Sequence, residues 1–190
     1  MITCTDDALA QKLRCLSLHG LSRDAWRRYS NQGSWYYEVV DRGYKYNMTD
    51  IAAALGVAQL EKVEPFWRRR AWIAKEYNRA FAEIPALKLP PVPAEGKHAW
   101  HLYLLQLRLE QLPFDRAEFI NRLREMGVHC SVHFIPLHLM PYYRERYGFR
   151  GGEFPQAEAL YQRVVSLPIY PAMTLKDVEY VIDAVNAVCH

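Results

Sequence analysis

The chain has 190 residues, 51% of them hydrophobic and 13% aromatic, which excludes a disordered segment and allows one domain with a real core, or one domain plus part of another. Lys and Arg number 24 against 21 Asp and Glu, a formal charge of +3 that is too mild to argue for nucleic acid or anionic lipid as a partner. Cys4, Cys15, Cys130 and Cys189 form no CxxC pair and read as reduced thiols of a cytoplasmic protein. No signal peptide and no apolar run of membrane-spanning length stands out.

Residues 1–5 read as the end of a strand, and a helix opens at Asp6 and Asp7, whose charges suit the first turn. A chain that begins on an unpartnered strand points to a missing upstream half. His19-Gly20 is a helix stop, followed by a polar loop rich in Trp and Tyr that runs to Gly43 and is long for a connector. The stretch from Gly43 to Asp50 then leads into Ile51-Ala-Ala-Ala-Leu-Gly-Val-Ala58, with Thr49 or Asp50 as its cap. Because almost nothing in that helix is polar, it is expected to be packed on most sides. Gly43, Tyr44, Lys45, Tyr46 and Asn47 form either a tight turn before a core helix or a set of donors positioned to hold an anion.

Pro65 marks a break, and a second helix carries Phe66, Arg70, Ile73, Tyr77, Phe81 and Ile84 at three- and four-residue steps. Its polar face accounts for Arg68, Arg69 and Arg70. Residues 85–96, with Pro90, Pro91 and Pro93, read as a linker and the internal boundary. Beyond it, strands are expected over 100–108, 128–134 and 165–170. Helices are expected after the Asp115 and Glu118 capping box, over 154–165 with Ala157, Leu160, Tyr161 and Val164 inward, and after Thr174-Leu-Lys-Asp177. The fold class is α+β: long helices, then a small domain with a roughly three-stranded antiparallel sheet covered by helices.

His133 and His138 flank the end of the expected strand, with prolines stiffening its exit. They are either site residues at a strand end or a partly buried pair satisfied by backbone carbonyls. A zinc site is disfavoured, because His129 and His133 would lie about 13 Å apart along a strand and no third ligand matches. There is no GxSxG, HExxH, GxGxxG or P-loop pattern, so the residues alone give no reaction.

Six ordered segments nevertheless resemble the DegT-type nucleotide-sugar aminotransferases, which are pyridoxal-phosphate enzymes of fold type I. They are 14–23 with its His19-Gly20, Gly43 to Leu60, Ala99-Trp-His-Leu-Tyr103, Ser131-Val-His-Phe-Ile-Pro-Leu-His138, Tyr142-Tyr-Arg-Glu145 and Ser166-Leu-Pro-Ile-Tyr-Pro171. The resemblance maps to the C-terminal half of such an enzyme. It implies residues 1–84 as a remnant of the large cofactor domain with connecting helices, and 85–190 as the small C-terminal domain. It further implies a homodimer with active sites between subunits, glutamate as amino donor and a nucleotide-linked keto sugar as acceptor. In the family the loop matching 43–48 helps hold the cofactor phosphate in the partner subunit's site. The frequent Gly-Tyr-Asn-Tyr-Arg stands here as Gly-Tyr-Lys-Tyr-Asn, so Tyr44, Lys45 and Asn47 are the implied cofactor-side residues, and which of Lys45 and Asn47 touches phosphate stays open. Arg23, His133 and His138 are the implied substrate-side residues. The Schiff-base lysine of the family has no counterpart here, since Lys12 and Lys45 do not match it. The isolated chain is therefore expected to be inactive and to bind no pyridoxal phosphate by itself. A standalone dimeric interaction or sugar-nucleotide-binding module is the alternative.

Overall fold

The structure is a computed structural model that describes residues 2–21 and 38–189. Arg23 and most of the Trp- and Tyr-rich loop lie outside the described residues. The chain divides into two compact units, one up to Glu61 and one from Lys62 onward.

In the first unit, α1 (Asp7–Ser17) opens on Asp6, whose Oδ1 accepts from the amides of Ala8 at 2.8 Å and Leu9 at 3.0 Å. Of the expected strand over 1–5, residues 2–5 are described, and they are irregular. The chain reverses through His19 and Gly20, both at positive φ (58° and 70°). The second helix, α2 (Asp50–Leu60), is capped by Thr49, whose Oγ1 accepts from Ala52 N at 3.3 Å. It has no buried residue, and Ile51 is 78% exposed. The expectation of a helix packed on most sides is therefore not met within this chain. Uniform apolarity reports that a helix can be buried, not which surface buries it.

The second unit begins with α3 (Val63–Phe81). Pro65 is its third residue, where the missing N–H would have no helical partner, so the proline opens the helix instead of breaking it. Ile73, Ala74, Tyr77 and Phe81 are buried as the stripe requires. The sheet is antiparallel in the order β1-β2-β3, with β1 at Leu87–Lys88, β2 at Tyr103–Leu107 and β3 at Val164–Leu167. Tyr103 pairs with Leu167 and Leu105 with Val165. Alternate residues of β2 (Tyr103, Leu105, Leu107) are buried in the core shared with α3, α4 (Arg116–Glu125) and α7 (Leu175–Cys189). At α7 the cap is reciprocal: Thr174 N donates to Asp177 Oδ2 at 2.7 Å and Asp177 N to Thr174 Oγ1 at 3.2 Å.

Three details differ from the sequence expectation. Residues 128–134 form no strand; Ser131 alone bridges to Ser166, and Phe134 is 74% exposed. The third strand is instead Leu87–Lys88, inside the proline-rich stretch, and α3 packs with the sheet, so the compact units part at 61/62, whereas the expected boundary was at 84/85. The helix after Phe154, α6 (Pro155–Arg163), has no buried residue; Ala157 and Leu160 are exposed and Val164 already belongs to β3. A short helix, α5 (Pro141–Tyr147), follows a 3-10 turn at Leu137–Leu139.

Candidate functional site

The loop in front of α2 is pinned from the side of α1. Tyr44 N donates to Leu16 O at 2.7 Å, Tyr46 N to Ser17 O at 2.8 Å, and His19 N to Tyr44 O at 2.8 Å. Gly20 and Gly43 touch through their backbones: a Cβ on Gly43 would stand 1.9 Å from Gly20 N. No side chain fits at that crossing. Lys45 Nζ donates to Asn47 Oδ1 at 2.5 Å, and the rings of Tyr44 and Tyr46 stack at 5.2 Å. With its carbonyl oxygen engaged by the ammonium, Asn47 keeps its amide N–H groups to donate, and Lys45 keeps two further protons. This donor set, a cation beside an amide on a braced backbone, fits a phosphate.

In the second unit, His133 Nδ1 lies 2.8 Å from Ser166 Oγ on β3. His138 is only 7% exposed, and its Nε2 lies 2.8 Å from Glu158 Oε1 on α6, an oxygen that also accepts from Gly152 N at 2.7 Å. The Phe154 ring sits 4.7 Å from that imidazole. Each histidine thus has its own side-chain partner, a carboxylate or a hydroxyl and not the backbone carbonyls that the sequence allowed. His133 reaches the surface; His138 is enclosed.

The Glu158 carboxyl is held below its ordinary 4.5, first by the hydrogen bond with His138 and next by the Gly152 amide. A carboxylate whose folded pKa is depressed stabilises the fold above its unfolded value, and that contribution is lost as pH falls through the folded value. Far-UV circular dichroism between about pH 5 and pH 3 should therefore show wild-type stability falling, with a shallower fall for Glu158→Gln. An equally steep fall in that variant would remove the pair from the account. Glu153 and Asp177, also held low by backbone hydrogen bonds, contribute to the remaining slope in both proteins.

The structure brings together Lys45, Asn47 and Tyr44 in the first unit, and seats His133 and His138 in the second. Arg23 lies outside the described residues. Sequence reasoning missed Ser166 and Glu158. Ser166 had a signal, as the one polar residue in Val164-Val165-Ser166-Leu167; Glu158, on an exposed helix, had none. Among the described residues no group of three or more His, Cys, Asp or Glu could hold a metal ion, and no helix is long and apolar enough to cross a membrane. Burial pushes the Cys130 thiol up to about 12 and that of Cys189 to about 11, so neither is a ready nucleophile.

Comparison with known proteins adds three findings. The model of the DegT/DnrJ/EryC1/StrS aminotransferase family matches residues 1–186. An uncharacterized protein of Methanocaldococcus jannaschii is 51% identical over 188 residues, and the spore coat polysaccharide biosynthesis protein SpsC of Bacillus subtilis is 49% identical over 187 residues. These alignments cover 99% and 98% of this chain but 48% of each relative, so the chain spans about half the length of the curated proteins it matches. Among solved structures, S. venezuelae DesV in complex with a ketimine intermediate superposes with a TM-score of 0.84 at 27% identity, over 99% of this chain and 46% of DesV. The aminotransferase TlmJ of Streptoalloteichus hindustanus gives 0.79 at 30% identity, over 97% of this chain and 45% of TlmJ.

Proposed function

The chain belongs to the DegT/DnrJ/EryC1/StrS aminotransferase family, and from that premise we propose that it forms the C-terminal part of a pyridoxal-phosphate-dependent enzyme that moves an amino group from glutamate to a nucleotide-linked keto sugar. The observation that carries this reading is the braced donor pair of Lys45 and Asn47. Its position in the sequence is where the family resemblance calls for phosphate-holding groups, and its chemistry suits that role. When bound, the cofactor supplies an electron sink for the carbanion chemistry of transamination. Lys45 and Asn47 would hold its phosphate in the partner subunit's site, with Tyr44 beside them, while His133 would meet the substrate. Arg23 remains an implied substrate-side residue. His138, bonded to Glu158, would shape that side of the cleft from within the fold.

The 190-residue chain by itself is proposed to be inactive, because the family resemblance matches none of its lysines to the Schiff-base lysine. Purified chain given glutamate, pyridoxal phosphate and a nucleotide-linked keto sugar should form no 2-oxoglutarate. Turnover would contradict the inactive part of the reading.

The exposed apolar surface of α2 favours a second reading, a standalone module that dimerises through this helix. Leu55, 64% exposed in the middle of α2, is the residue to change. Leu55→Asp should turn a dimer into a monomer in sedimentation velocity without loss of helical signal. A monomeric wild-type chain that binds no nucleotide sugar would rule out that module.

A further inference from the structure

We infer that Ser166 is a positioning residue for His133: its hydroxyl donates to Nδ1 and fixes the imidazole in the tautomer that carries its proton on Nε2. The inference deepens the proposed substrate-side role of His133 and rests on that reading for its functional meaning. Ser166 sits within β3 with 5% of its surface exposed. Its backbone is tied in both directions to Ser131, with Ser166 N donating to Ser131 O at 2.8 Å and Ser131 N to Ser166 O at 3.2 Å. That exchange holds the chain two residues before His133 against the sheet.

Among the described residues the Ser166 hydroxyl makes one hydrogen bond, the 2.8 Å contact with His133 Nδ1. A hydroxyl carries a single proton, and a buried one needs an acceptor. Among the described residues only Nδ1 is in reach, so Nδ1 accepts. A neutral imidazole has one N–H, and it is left on Nε2. The opposite tautomer would have Nδ1–H donating to the serine oxygen, leaving the serine O–H buried and unmatched. Nε2 itself has no partner among the described residues, on a half-buried ring with Phe134 edge-on at 4.6 Å. His133 therefore offers a donor to whatever lies before it. Such a group selects an oxygen acceptor, the phosphate, hydroxyl or carbonyl oxygen of a ligand, and rejects an ammonium.

The test is a long-range nitrogen–proton correlation spectrum of the His133 ring, recorded on the 190-residue chain without cofactor or substrate at a pH where the ring is neutral. The expected spectrum has Nδ1 in the unprotonated shift range and Nε2 in the protonated range. In Ser166→Ala both nitrogens should move toward the averaged values of a tautomer mixture, and Ser166→Thr, which keeps the hydroxyl, should restore the wild-type pattern. A protonated Nδ1 in the wild-type chain, or a Ser166→Ala spectrum identical to wild type, overturns the inference. The wild-type spectrum decides alone if a variant fails to fold. Because no ligand enters the measurement, failure of the aminotransferase reading would leave the tautomer as found, and a wrong tautomer would leave that reading standing.

Discussion

Replacing Tyr77 with alanine is expected to destabilise the second unit by about 3–5 kcal/mol, the range for removing a fully buried aromatic ring. Tyr77 has no exposed surface, stacks on Phe81 with centroids 5.6 Å apart, meets Tyr103 edge-on at 5.0 Å and donates its hydroxyl to Pro168 O at 2.8 Å. It joins α3 to β2 and to the segment that follows β3, so the cavity left behind would lie where three elements meet and could not collapse without moving the sheet. Tyr77→Phe separates the ring from the bond. It keeps the packing and removes one donor, and should cost about 1–2 kcal/mol by leaving the Pro168 carbonyl unmatched. Urea unfolding curves with an unchanged slope would measure both. A loss under about 1.5 kcal/mol for the alanine variant would mean that Tyr77 is not the centre of this core.

Gly43→Ala should release the loop that bears Lys45 and Asn47. The added Cβ would lie 1.9 Å from Gly20 N and 2.4 Å from His19 C, all backbone atoms that cannot rotate away. Gly20→Ala is worse placed still, with a Cβ 1.7 Å from Asp41 O and a left-handed φ of 70° that costs a non-glycine residue about 1–2 kcal/mol before any clash. The amides of Tyr44 and Tyr46, which donate to Leu16 O and Ser17 O, report on the loop directly. Their hydrogen exchange should speed at least about tenfold in either variant, while amides of α7 exchange as in wild type. Unchanged exchange at Tyr44 would show that the glycine crossing does not brace the loop.

What could be read from the sequence was local. The caps at Thr49, Asp115 and Thr174 with Asp177 follow from side-chain oxygens a few residues from the amides they accept, and the stripe of Ile73, Tyr77 and Phe81 follows from helical spacing. The α+β class with a three-stranded antiparallel sheet was legible, yet the identity of one strand was not. Val128, Cys130, Val132 and Phe134 alternate as a strand should, but pairing is decided by a distant partner, and in this segment Ser131 alone bridges to the edge strand β3, at Ser166. The two-residue β1 is too short for any pattern to betray, and it lies among prolines that argue for a linker. At the site, the resemblance pointed to Lys45 and Asn47, two residues apart and bonded locally, whereas the crossing of Gly20 and Gly43 that braces their loop joins residues distant in sequence. The Glu158 partner of His138 was invisible for the same reason, being 20 residues away on a helix whose own pattern suggested inward apolar groups.

The most direct measurement of the central claim is pyridoxal phosphate binding by a chimera that joins the first half of SpsC to this chain, compared with the same chimera carrying Lys45→Ala. The expected result is a folded chimera that binds the cofactor and transfers an amino group from glutamate to a nucleotide-linked keto sugar. Lys45→Ala should weaken cofactor affinity at least about tenfold, as loss of a charge-assisted contact to phosphate requires. A folded, dimeric chimera that binds pyridoxal phosphate equally well with and without Lys45 would contradict the assignment of the 43–48 loop to the cofactor phosphate.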